Sequence, residues 1–193
     1  MVCKYYNINN IYSEVTMKKI LIVVDYQKDF VSGALGFAGA ELIEENICKK
    51  IAKYREEEQE IVYTLDTHDE DYPNTPEGKN LPIPHCYVNT EGWQLAGKVA
   101  QAINTQDVVF IKPTFGSLEL GNYLKENMYD YVELCGLVSY ICVFSNAVIA
   151  KAALPYAEIV VDSNATLGPD PLMQGKAYDV LENLHIKVLN WSK

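Results

Sequence analysis

Short apolar runs alternate with stretches of helical period along most of the chain. Residues 20–24 are an unbroken run of Ile, Leu and Val, the pattern of a strand covered on both faces. Residues 42–57 place Ile43, Ile47, Ile51 and Tyr54 at helical spacing with Glu and Lys between. Residues 61–65 read as a second strand. Residues 67–92 read as a loop, because Pro73, Pro76, Gly78, Pro82 and Pro84 interrupt any regular element. A loop of that length in a compact chain is usually functional. Beyond it the pattern predicts helices over 94–103, 117–126, 141–153 and 171–184. Between them it predicts strands over 108–111, 132–137, 159–161 and 186–189. Six strands alternating with helices require crossover connections, hence a mainly parallel sheet with helices on both faces. Ligands bind such sheets at the carboxyl ends of the strands.

That rule turns strand ends into candidate chemistry. Asp25 follows the first strand, Asp66 ends the second, Lys112 follows the third, and Cys142 follows the fourth across a short turn. Any one of them is an ordinary polar strand terminus. All four together, of complementary types on one sheet edge, point to a reactive site. The turn before Cys142 leads into a helix, where the dipole and free N–H groups favour a thiolate. The same N–H groups suit an oxyanion. Lys112 adds positive charge near the sulfur, and Asp25 is suited to take the thiol proton and return it to a leaving amine. The plainer alternatives are a small buried hydrophobe for Cys142 and a structural ion pair for Asp25 and Lys112. Asp66 and His68, with His85 from the loop, form a second group suited to a divalent metal with open positions. His68 or His85 could instead pair with Cys142 as a dyad. His185 lies before the last strand, away from these residues.

Composition narrows the partners. The 193 residues carry 16 basic and 26 acidic side chains, a formal charge of −10. That disfavours nucleic acid and an anionic membrane surface, both of which need clustered cations. No apolar run reaches the length of a membrane span. The five cysteines are irregularly spaced with no C-x-x-C, so neither a disulfide framework nor a structural zinc site is expected. A reducing, cytoplasmic location follows. Cys48 and Cys135 read as buried apolar residues. Residues 1–16 are polar and rich in Tyr and Asn, a loosely ordered extension ahead of one domain over 17–193. A nucleotide-binding module finds no support, because neither G-x-G-x-x-G nor G-x-x-x-x-G-K-[ST] is present.

Five segments carry a family resemblance: V-D-Y-Q-K-D-F (24–30), D-T-H (66–68), H-C-Y-V-N-T-E-G (85–92), K-P-T-F-G-S (112–117) and G-L-V-S-Y-I-C-V (136–143). In this order they resemble the isochorismatase-like cysteine hydrolases, of which nicotinamidases are amidase members. The resemblance covers residues 18–190. It implies a three-layer α/β/α fold and an Asp25–Lys112–Cys142 triad, with an oxyanion hole at the N–H groups of Val138 and Cys142. It further implies a cis bond between Leu137 and Val138, a substrate wall at Phe30 and Phe115, and Zn²⁺, Fe²⁺ or Mn²⁺ held by Asp66, His68 and His85. The expected reaction is hydrolysis of a small amide, nicotinamide foremost, by a homo-oligomer. Alternatives are another small amide or carbamoyl compound with the same triad, or a non-catalytic α/β binding protein. Members that hydrolyse isochorismate lack the nucleophilic cysteine. Two departures stand out: Asn74 occupies the place of a further histidine, and Leu81-Pro82-Ile83-Pro84 replaces an aromatic before His85. The expected metal set is therefore one histidine short.

Overall fold

A computed structural model describes residues 17–192; the extension expected over 1–16 lies outside the described residues. The first apolar run forms β1 (Lys19–Val24), where Ile20 through Val24 are all fully buried. A short helix α1 (Lys28–Val31) and a 3-10 turn (Ala40–Ile43) lead into α2 (Glu44–Glu56). Next come β2 (Glu60–Asp66), α3 (Pro76–Asn80), α4 (Gly97–Ala102), β3 (Val108–Lys112) and α5 (Leu118–Asn127). The chain continues through β4 (Tyr131–Leu137), α6 (Cys142–Ala153), β5 (Glu158–Leu167), α7 (Pro171–Asn183) and β6 (Lys187–Leu189).

The six strands form one sheet in the order β3-β2-β1-β4-β5-β6, and every pairing is parallel. Strand order reverses at β1, which lies between β2 and β4, so the crevice for a ligand opens at the carboxyl ends of these strands. Alternation along β1 divides the core. Ile20, Ile22 and Val24 pack with Leu120, Leu124, Val143, Ala147 and Leu181 from α5, α6 and α7. Leu21 and Val23 pack with Ile47, Ile51 and Tyr54 from α2 and with Val99 from α4. Each fully buried side chain of this kind is worth roughly 1.5–3 kcal/mol. The result is the three-layer α/β/α arrangement.

Two expectations change. The strand expected over 159–161 runs to Leu167, beyond its apolar stretch. A register shift between Leu134 and Gly136 accommodates the added length. Asp162 is held within it by Lys50 of α2 and by the Asn190 amide at 2.7 Å. The same Lys50 ammonium meets Glu133 of β4 at 2.6 Å, so one half-buried cation ties α2 to two strands. The segment over 67–92 is not structureless either. It contains a 3-10 turn (Tyr72–Asn74) followed by α3. Pro76 starts that helix, because a missing N–H costs nothing in the first turn, and the Thr75 hydroxyl caps it by accepting from the Gly78 amide at 2.9 Å.

Candidate active site

Asp25 leaves β1 in a left-handed conformation, φ 45°, fully buried. Its amide donates to the Thr64 carbonyl at 3.1 Å, and the Thr64 hydroxyl donates to its Oδ1 at 2.7 Å. Asp66 ends β2, and Lys112 ends β3 in register with it. The Lys112 side chain is fully buried. Its Nζ lies 2.6 Å from Asp25 Oδ2 and 3.1 Å from Asp66 Oδ1, and it donates to the Thr114 carbonyl at 3.0 Å. Its fourth neighbour is the Cys142 sulfur, at 3.7 Å. Cys142 is the first residue of α6, so its N–H has no acceptor within the helix. The structure thus brings together all four strand-end residues singled out in the sequence. The bond between Leu137 and Val138, where β4 enters the turn, is cis.

The charges settle around one cation. Burial works against the Lys112 ammonium, but Asp25, Cys142 and Asp66 outweigh it and hold its pKa above the usual lysine range. Asp25 is pushed up from the usual carboxylate range, by burial first and by the Asp66 charge, with Lys112 opposing. Cys142 is pushed well above an ordinary thiol by burial, a rise that Lys112 opposes and the Asp25 and Asp66 carboxylates reinforce. These surroundings work against the resting thiolate expected from the helix terminus and Lys112. Burial acts most strongly on the sulfur, and the single ammonium that opposes it is shared between two acids.

Beside this group lie Asp66, His68, Glu77 and His85, with one ligand atom from each all within 4.8 Å of one another. Both imidazole Nε2 atoms face Asp66 Oδ2, at 3.1 Å for His68 and 3.3 Å for His85. The Nδ1 of His85 meets the Ile83 carbonyl at 2.8 Å. That partner fixes the ring and leaves Nε2 for a ligand. Burial opposes the charge on Asp66, but hydrogen bonds from the two histidines and the Lys112 charge outweigh it and hold the carboxyl well below its usual range. Two imidazoles and two carboxylates on one side of a cleft suit Zn²⁺, Fe²⁺ or Mn²⁺. With both Nε2 atoms directed at Asp66, the alternative of a histidine acting as base to Cys142 loses its geometry.

Glu77 is the member that the sequence reading missed. Asn74, at the place of the missing histidine, turns away to hydrogen-bond Asp71 at 2.7 Å. Glu77 sits one turn further on, in α3, with Oε1 3.6 Å from His68 Nε2. Its other oxygen accepts from the Thr114 hydroxyl at 3.2 Å. A Cβ at Gly78 would lie 2.0 Å from the Tyr72 carbonyl, so glycine lets α3 close onto the preceding turn and bring Glu77 in. The signal in the sequence was Thr75-Pro76-Glu77, a capped helix start inside an apparent loop.

Other side chains hold the frame. The Gln27 amide donates to the Asp66 and Trp93 carbonyls at 2.9 and 2.8 Å, and its oxygen accepts from the Asp66 amide at 2.8 Å. Asn146, one turn after Cys142, accepts from the Ser117 amide at 3.0 Å and donates to the Phe115 carbonyl at 3.1 Å. Cys86 is fully buried, Cys135 likewise, while Cys48 is half-buried. His185 is exposed before β6, away from the site.

A cavity of about 250 Å³ opens over Cys142. Asp66, Glu77 and His85 line one side; Phe30, Phe115, Val138, Tyr140 and Ile141 are among those completing it. Phe30 meets His85 edge-on, with ring centroids 5.7 Å apart. Both phenylalanines expected at the substrate wall thus border the cavity.

The sequence profile described as the Isochorismatase domain matches residues 19–193, and the chain belongs to that family. A Bacillus subtilis (strain 168) protein named as an isochorismatase family protein, PncA, is 31% identical over 144 residues, 68% of this chain and 78% of that one. The crystal structure of nicotinamidase/pyrazinamidase PncA from Bacillus subtilis superposes with a TM-score of 0.80 at 28% identity, over 89% of this chain and 99% of that one. Pyrazinamidase of Pyrococcus horikoshii in complex with zinc gives 0.77 at 25% identity, over 90% and 99%. Among the described residues, no helix is long and apolar enough to cross a membrane.

Proposed function

We propose that this protein is a cysteine-dependent amidohydrolase acting on a small neutral amide of the nicotinamide type, releasing ammonia. The observation that carries the reading is the Lys112 ammonium, 2.6 Å from Asp25 and 3.7 Å from Cys142 beneath one cavity. The named nicotinamidase and pyrazinamidase relatives support the reaction class, and the zinc complex among them supports the metal.

In this reading Asp25 takes the thiol proton as the Cys142 sulfur attacks the amide carbon. The raised basicity of Asp25 suits it to accept the proton, and Lys112 stabilises the sulfur as charge develops on it. The N–H groups of Val138 and Cys142 receive the oxyanion of the tetrahedral intermediate. Asp25 then gives its proton to the leaving nitrogen, ammonia departs, and a thioester remains. Water attacks the thioester carbon as Asp25 accepts its proton. The acid leaves when that proton returns to sulfur. Asp66, His68, Glu77 and His85 would hold a divalent ion, which would supply Lewis-acid binding of water or of a donor atom of the substrate. Phe30 and Phe115 would flank a planar substrate.

The test is ammonia release from a panel of small amides led by nicotinamide, with Cys142→Ala alongside. Cysteine-dependent release from nicotinamide is expected. Release that survives in Cys142→Ala, or no release from any amide by folded, metal-supplied protein, would overturn the reading.

A further inference from the structure

Asp29, on α1, lies outside the reactive group, yet its carboxylate joins two segments that border the cavity. Its Oδ2 accepts from the Cys86 amide at 2.7 Å, and its Oδ1 accepts from the Ala34 amide at 3.2 Å. Cys86 directly follows His85. Ala34 directly precedes Leu35, which lines the cavity with Phe37. The main chain of Asp29 engages the same two segments: its amide donates to the Gly92 carbonyl at 2.9 Å, and its carbonyl accepts from the Leu35 amide at 2.8 Å.

Three further features show that the carboxylate seat is built. Cys86 adopts φ +48°, a left-handed conformation that a cysteine holds only when its surroundings fix it. A Cβ at Gly92 would lie 2.2 Å from Asp29 Oδ2, so glycine is what leaves room for the carboxylate. Past Cys86 the segment continues onto the metal-facing edge: the His68 amide donates to the Cys86 carbonyl at 3.0 Å, and the Val88 amide to the His68 carbonyl at 2.9 Å. Moving Cys86 therefore moves His85 and loosens His68.

We propose that Asp29 is a positioning residue: its carboxylate clamps the Cys86 amide so that His85 faces Asp66, and through Ala34 it fixes the Leu35–Phe37 wall in the same frame. Its role in ion binding rests on the reading of Asp66, His68, Glu77 and His85 as a metal site; its clamping of the loop does not. One carboxylate thereby sets both the ion's ligand geometry and one wall of the substrate cavity.

The experiment uses the full chain and cobalt(II) as probe. Asp29→Ala, Asp29→Asn, Gly92→Ala and the double variant Asp29→Ala/Gly92→Ala are titrated by visible absorbance. Amide exchange is followed at Cys86 and Ala34. Loss of an outer-shell partner typically weakens metal binding by about 10–100-fold, and that loss is expected for Asp29→Ala, with a changed cobalt spectrum and fast exchange at Cys86. Asp29→Asn, which keeps one acceptor oxygen, recovers part of the affinity. Gly92→Ala mimics Asp29→Ala, because its new methyl group displaces the carboxylate, and the double variant is no worse than Asp29→Ala alone. Wild-type affinity and spectrum in Asp29→Ala, or losses that add in the double variant, would overturn the proposal. If the wild type takes up no cobalt, the metal reading fails instead. Exchange at Cys86 then decides for the clamp: unchanged protection in Asp29→Ala overturns it, and lost protection that Asp29→Asn restores upholds it.

Discussion

Lys112 reaches Asp25 at 2.6 Å with both side chains fully buried. The same ammonium also faces Asp66, so one cation serves two acids from two neighbouring strands. Removing it leaves two buried carboxylates without their shared cation, and breaking a buried pair in this way costs about 3–5 kcal/mol. Lys112→Met is therefore expected to lower the midpoint of urea unfolding clearly. Cys142→Ala, which deletes one small buried atom, is expected to stay within about 1 kcal/mol of wild type. Equal stability of the two variants would show that Lys112 carries no structural charge balance.

Catalysis is expected to follow the opposite order of tolerance. Cys142→Ala keeps the fold but removes the atom that forms the covalent bond, so ammonia release should fall by at least about 10³-fold. Mass spectrometry of wild-type protein quenched during turnover should find an acyl adduct on the peptide that contains Cys142. An adduct elsewhere would dismiss the assignment.

The thiol's pH dependence follows from its surroundings. Burial first, and then the two carboxylates, hold Cys142 well above an ordinary thiol, with Lys112 opposing. A thiol shifted in this direction is mostly protonated at neutral pH, and alkylation, which needs the thiolate, proceeds slowly. The iodoacetamide rate of metal-free protein should rise about tenfold per pH unit through neutrality, without a plateau below pH 9. Lys112→Met loses the one opposing charge, so its profile should move further up. A plateau below pH 8 in wild type would restore the resting thiolate that the helix terminus alone suggested.

How much of this the residues announced depends on where they lie. Asp25, Asp66, Lys112 and Cys142 were legible because each ends an unbroken apolar run, and parallel strands deliver such ends to one edge. Gln27, Asp29 and Glu77 were not, because they sit at or in helices of only four or five residues, too short for periodicity to mark orientation. Glu77 shows the difficulty best. Pro76 and Gly78 read as loop residues, yet one begins a helix and the other lets it pack. The length of β5 was hidden for another reason: polar Asp162, Ser163 and Asn164 interrupt its apolar run, and pairing with β4 resumes only beyond them, at Thr166 and Leu167.

The metal prediction turns on that same segment. Glu77 stands among the candidate ligands, whereas Asn74 faces Asp71. Glu77→Ala is expected to weaken zinc or manganese binding by at least about tenfold, and Asn74→Ala to leave it unchanged. Chelator treatment should reduce ammonia release in wild type, with recovery on adding the ion back. Comparable losses in both variants would mean that the 72–80 segment acts as a whole and Glu77 supplies no ligand.

Substrate charge follows from what borders the cavity. Asp66 and Glu77 are its acidic residues, and among the described residues lining it none is lysine or arginine. Lys112 lies beneath, committed to Asp25 and Asp66. A divalent ion would balance Asp66 and Glu77 but leave no cation to pair with a carboxylate on the substrate, and an unpaired charge entering a buried site pays its desolvation without return. Neutral amides such as nicotinamide and pyrazinamide should therefore be turned over, while N-carbamoyl amino acids of similar size should fall behind by at least about tenfold in kcat/KM. A discrimination of that size corresponds to about 1.4 kcal/mol, well within what one uncompensated charge costs. Phe30→Ala should weaken the neutral substrates, chiefly through KM, because it removes a flat apolar wall and no reacting group. If N-carbamoyl amino acids prove the better substrates, the cavity must gain a cation from outside the residues that line it.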